Sequence, residues 1–218
     1  METVTLTKIL QILITIILIG VMPIRIILEI EKKDDDLPKL NKNDRIYLYA
    51  VTIIEIVILI LTFDKQDSIL YTVSIVSVTA ILNITSYMDE KIQSFQKGIC
   101  LVGIDIQLVL IALNKIVYNQ LPDFHNIVGI IIILAVMLIT SIAGGLGLGD
   151  LLLYIMISIS YIMISPISYI IVAIDIILSY LIFLIKNIMF HKKLNESNPY
   201  TLSIAIMTFI INSIIWII

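Results

Sequence analysis

An all-α, polytopic membrane protein of about eight transmembrane helices is the fold class this sequence predicts, and three observations predict it. Hydrophobic residues make up 60% of the 218 positions and charged residues 14%, with a mean hydropathy of +1.09, whereas soluble domains are about 45–50% apolar and about 25% charged. The apolar residues fall in runs near the roughly 20 residues that a bilayer-crossing helix needs. The charges collect between those runs. Residues 1–218 read as a single transmembrane domain, with the charged loop 31–45 taking the place of any larger insertion.

The first run, 9–30, is long enough to span, and no small-residue cleavage pattern follows it, so it reads as a retained helix and not a signal peptide. Runs at 46–63, 69–87, 99–118 and 127–143 supply four more spans. The stretch 151–185 is too long for one helix. Pro166 divides it, because proline lacks a backbone donor and disfavours helix at the residue before it. A last run at 201–218 completes the eight.

Lysine and arginine stay on the cytoplasmic side of membrane helices. With loop 31–45 inside, Lys32, Lys33, Lys39, Lys42, Arg45, Lys91, Lys97, Lys186, Lys192 and Lys193 are cytoplasmic, against Lys8, Lys65 and Lys115 outside. Both termini then face outward, an N-out/C-out arrangement. The net charge of −3 leaves no basic footprint for nucleic acid. Cys100 is the single cysteine and His125 and His191 stand alone, so no disulfide, metal or cofactor is expected.

Two acids that played no part in setting the orientation land at the same face. Asp89, in SYMDEK, follows the third span, and Asp150 closes GGLGLGD and opens the sixth. Two crossings lie between them, so the chain returns to the side it left. Two carboxylates held close cannot both ionise cheaply, so they share a proton and titrate as a pair. One can then activate water while the other protonates a carbonyl, the chemistry of an aspartic protease. Gly144, Gly145, Gly147 and Gly149 clear side chains from the approach, permit unusual backbone angles and leave room for an extended peptide. Taken alone, the same residues also fit a small-xxx-small packing face at Gly145 and Gly149, with Asp150 a helix N-terminal acid. Asp89, beside Glu90 and Lys91, likewise fits a solvated loop acid.

GGLGLGD resembles the GxGD motif of the membrane aspartyl peptidases, and with SYMDEK it resembles specifically the type IV prepilin peptidase family. That resemblance implies Asp89 and Asp150 as the catalytic pair, with Lys91 the basic residue that often follows the first aspartate by two places. It also implies a multi-pass protein of the cytoplasmic membrane with its active site facing the cytoplasm, surrounded by lipid. The substrate it implies is a prepilin, pseudopilin or preflagellin with a basic leader and a hydrophobic N-terminal helix, cut before that helix. The sequence departs from the family at Leu152, where lysine is common, and at Gln96 and Lys97, where a proline and a polar residue are often found. Larger members carry paired cysteines in a domain after the first helix; loop 31–45 has none, so peptidase activity alone is expected, without methyl transfer. GLGDLLLY is also similar to presenilin and signal peptide peptidase, but those families place their aspartates on consecutive helices.

Further acids, Glu55, Asp105 and Asp175, fall inside the second, fourth and seventh predicted spans, where each needs a partner or a wet cavity. Asn83, Gln107 and Asn114 are candidate partners, and Asp105 is expected just above the paired acids. These intramembrane acids also suit a proton-coupled transporter or a non-catalytic membrane assembly factor. Arg25 and Glu29, four apart, suit an ion pair at the inner end of the first helix.

Overall fold

The computed structural model describes residues 2–33, 42–62, 68–92, 97–143, 147–189 and 200–217. They form α1 (Glu2–Thr15), a π-helical segment (Ile16–Val21), α2 (Met22–Lys33), α3 (Lys42–Thr62), α4 (Ile69–Ile92), α5 (Lys97–Tyr118), α6 (Phe124–Ile142), α7 (Leu148–Ile164), α8 (Ser168–Met189) and α9 (Thr201–Ile217). No strand occurs among the described residues. Five helical stretches are long and apolar enough to cross a membrane: Leu6–Ile30, Ile69–Asp89, Lys97–Tyr118, Phe124–Ile142 and Ser168–Met189. The shorter α7 and α9 are apolar as well.

The first predicted helix is continuous but not uniform. Pro23 has no N–H to return to Ile19, and the ladder loosens before it. At its end the Met22 amide reaches back five residues to Ile17, the local π adjustment that proline in a helix provokes. Gly20 lies on this segment against α3, where a Cβ would come within 3.2 Å of Ile56 Cδ1. The Arg25–Glu29 pair forms at 3.8 Å, exposed on both sides. Exposed pairs of this kind contribute little.

Helix α4 is the hub. It carries serine, threonine and asparagine through its length, yet 72% of its membrane window is buried, against 17–28% for the other four spanning stretches. Lipid tails are as apolar as leucine, so small and polar side chains, not greasy ones, select the interior of a membrane bundle. Gln11 of α1 donates to Thr72 at 2.9 Å. Ser74 donates to Gln107 of α5 at 2.5 Å and meets Ser160 of α7 at 2.8 Å. Asn83 donates to Glu55 of α3 at 2.5 Å. Around α4, α7 and α9 the remaining helices turn leucine, isoleucine and valine outward: Leu61, Ile116, Ile142 and Ile188 are each more than 70% exposed. An apolar outer surface on that scale suits contact with lipid.

Glycine permits a close helix approach. At Gly103 a Cβ would collide with Met156 and Ile81, so α5 lies directly against α7 and α4. That contact fixes the rotation of α5. Asp105, two residues on, is turned about 200° away and is exposed on the outer face, not above the paired acids as the sequence reading expects. The break at Pro166 falls where predicted: α7 ends at Ile164, α8 starts at Ser168, and the freed Pro166 carbonyl accepts from Asn126 at 2.5 Å.

Candidate active site

Three helix ends meet at one end of the bundle. Asp89 lies three residues before the end of α4, Asp150 in the first turn of α7, and Thr201 at the start of α9. The Tyr200 carbonyl accepts from Ser203 and Ile204, so Tyr200 caps α9 and Thr201 is its first helical residue. A first-turn amide has no partner within its own helix. Thr201 gives that amide to Asp89 Oδ2 at 3.2 Å and its hydroxyl to Asp150 Oδ1 at 3.5 Å. Both carboxylates are thereby gathered on one fully buried residue.

The electrostatics differ between the two acids. Asp89 stands near the negative C-terminal end of α4, an unfavourable place for an anion, which the α9 N-terminus offsets. Asp150 stands at the favourable N-terminal end of α7. Gly147 caps that helix in an extended conformation, φ −69° and ψ 142°, and offers no side chain to do so. Asp150 reaches back to the Gly147 amide instead, half of the reciprocal bonding seen in a capping box. The glycine is therefore needed for room and not for an unusual backbone angle. A Cβ there would lie 3.0 Å from Asp150 Oδ2.

Asp150 sits before the apolar run that begins at Leu151, and it is half-buried. Burial first, and the Asp89 charge second, lift its carboxyl to about 7, while the Gly147 amide and Thr201 hydroxyl pull it down. Asp89 thus lies near enough to Asp150 for its charge to raise that carboxyl.

Of the other residues singled out by the sequence, Gly149 is half-buried in the first turn of α7. Gly144 and Gly145 lie outside the described residues, as does the Lys91 side chain in the last turn of α4. Leu152, where the resembled family commonly has lysine, packs against the apolar core. Thr201 was not singled out. It could have been: two predicted crossings separate it from Asp150 and four from Asp89, both even numbers, so counting spans puts the start of the last helix on the same face as both acids.

The remaining acids are held apart from this site. Glu55 pairs with Asn83 as expected. Asp175 is bonded by hydroxyls and not by the amides proposed for it: Tyr161 and Thr208 each donate to Oδ2 at 2.9 Å, and Ser179 to Oδ1 at 3.1 Å. Gln107 and Ser77 instead complete the Ser74 cluster, at 2.9 Å.

Fold and site together define an all-helical protein, compatible with a multi-pass membrane location, that brings two carboxylates together at one bundle end. No protein-family model matches the chain, and no curated protein or solved structure matches it either.

Proposed function

We propose that the chain is a membrane aspartyl endopeptidase of the prepilin peptidase type. It removes the basic leader of a prepilin, pseudopilin or preflagellin at the cytoplasmic face of the cell membrane. The chain crosses that membrane eight times with both ends outside. The observation that carries the reading is the convergence of Asp89 and Asp150 on Thr201.

Asp150, with its carboxyl lifted to about 7, is the member that holds the shared proton. Asp89 then takes a proton from water, whose oxygen attacks the scissile carbonyl carbon while Asp150 protonates the carbonyl oxygen. On collapse of the tetrahedral intermediate the C–N bond breaks, Asp89 gives its proton to the departing amine and Asp150 takes one back from the diol hydroxyl. The distribution of the other acids supports this reading over a transporter. Asp105 faces outward, Glu55 pairs with Asn83, and Asp175 is enclosed by hydroxyls, so no continuous relay of acids links them.

Asp89→Asn and Asp150→Asn test the mechanism. Each keeps an acceptor for Thr201, and each is expected to lower leader cleavage of a co-expressed prepilin by about 10²–10⁴-fold, with membrane insertion unchanged. Normal cleavage by either variant refutes the paired-acid mechanism. Proton-linked flux lost on replacing Glu55 or Asp175, without proteolysis, would favour the transporter.

A further inference from the structure

A cavity of 520 Å³ opens between α3, α4 and α9, lined among others by Val51, Glu55, Asn83, Tyr87, Ala205 and Phe209. Its volume lies within the range of about 300–1,000 Å³ typical of binding pockets. At its outer edges Tyr47, Ile54, Ile206 and Ile210 are exposed, so the cavity is a groove open to the side of the bundle. One end of it lies near the acids. Ser86 in its wall is three residues, about one turn, before Asp89, and Leu202 adjoins Thr201.

One polar feature interrupts the apolar wall. Glu55 receives Asn83 on Oε2, and Oε1 has no protein partner among the described residues. Asn83 precedes Asp89 by six residues, about 9 Å along α4. An acyl chain in this groove has no donor to give that carboxylate; a peptide segment bearing a hydroxyl, amide or ammonium group does. We propose that the groove receives the hydrophobic helix of the substrate, with Glu55 accepting a hydrogen bond from a donor on it. This assignment rests on the peptidase reading and names where its substrate docks. Nine ångströms correspond to about three extended or six helical residues, so the donor belongs about three to six positions past the cut.

The test uses the full chain in membranes with a co-expressed, tagged prepilin. A photo-crosslinking residue at Ile206 or Ile54 is expected to capture the prepilin helix, and one at Val109, exposed on the outer face of α5, is not. Ile206→Trp, which narrows the groove, is expected to lower kcat/KM about tenfold, mainly through KM, with Val109→Trp at the unsubstituted rate. Crosslinks to lipid alone, or equal capture from Val109, overturn the groove assignment while cleavage by the unsubstituted chain leaves the peptidase reading intact. No cleavage by the unsubstituted chain overturns the peptidase reading, and with it the substrate helix as occupant.

Discussion

Thr201 touches both acids through different atoms, so its two contacts can be removed in steps. Thr201→Val keeps the shape of the side chain and the amide on Asp89 but removes the hydroxyl from Asp150. A hydrogen bond to a charged group contributes about 1.5–3 kcal/mol. At 3.5 Å this one is at the outer limit of bonding geometry, so about 1 kcal/mol, or about fivefold in kcat/KM, is the expected loss. Thr201→Pro goes further. Proline is favoured at the first helical position, so α9 keeps its start, yet the amide on Asp89 at 3.2 Å is gone as well. The two losses together predict a fall of about 10²–10³-fold, and Thr201→Ser stays near the unsubstituted rate. The assay is leader cleavage of a prepilin in membranes across a pH series. Asp150 holds the shared proton below about 7 and loses it above, so activity falls as pH rises through that value. The Thr201 hydroxyl lowers this carboxyl; removing it moves the alkaline fall to higher pH, a shift that general loss of fold does not produce. Unchanged rates in Thr201→Val and Thr201→Pro, with the alkaline limb in place, would refute the bridging role.

Gly147→Ala puts a Cβ 3.0 Å from Asp150 Oδ2, displacing the carboxylate by a few tenths of an ångström. About tenfold lower kcat/KM is expected from that misplacement. Gly98→Ala, whose Cβ meets nothing within 4 Å, is the matched control, and equal rates in the two would remove the steric argument. Asp175→Leu strips the shared acceptor from Tyr161, Ser179 and Thr208. Interhelical hydrogen bonds in membranes average about 0.6 kcal/mol, and those from Tyr161 and Thr208 cross between helices, so a loss of about 1 kcal/mol is expected, measured by thermal unfolding in detergent. A midpoint unchanged from that of the unsubstituted protein would show that the cluster contributes nothing to stability.

The helix limits were legible because each rests on local chemistry: Pro166 stops α7, and apolar runs set the lengths of α5 and α6. The face each helix presents was less so. Asp105 was expected above the site because depth alone was counted. Rotation is decided by neighbours, here by Gly103 against Met156. A signal was present in the spacing, since Gly103 and Gln107 share one face and Asp105 falls on the other. The two aspartates were legible because span counting fixes only which end of the bundle a residue reaches, and that was enough to pair them. Thr201 escaped because it carries no charge, although the same counting delivers it to the same end. The glycine run was read for cleared side chains and for backbone freedom; at Gly147 the backbone is ordinary and the missing Cβ is what Asp150 uses.

Site geometry and polar burial are linked through the helices that bear them. Asp89 projects from α4, which hydrogen bonds tie to α1, α3, α5 and α7. Thr201 projects from α9, and Thr208, seven residues and about two turns further on, lies on the same face. There it bonds Asp175 together with Tyr161 of α7. Nearer the acids, Tyr154 of α7 meets Tyr200 at 3.3 Å, one residue before Thr201 and one turn past Asp150. The start of α9 is therefore tied to α7 directly at Tyr200 and, seven residues deeper, through Asp175 of α8, and Thr201 has little freedom to leave Asp150. In a bundle whose outer surface is apolar, these hydroxyl contacts give α9 a definite rotation that leucine packing alone does not. Asp175, outside the site, acts on the site in this way, by fixing the helix that bridges the pair.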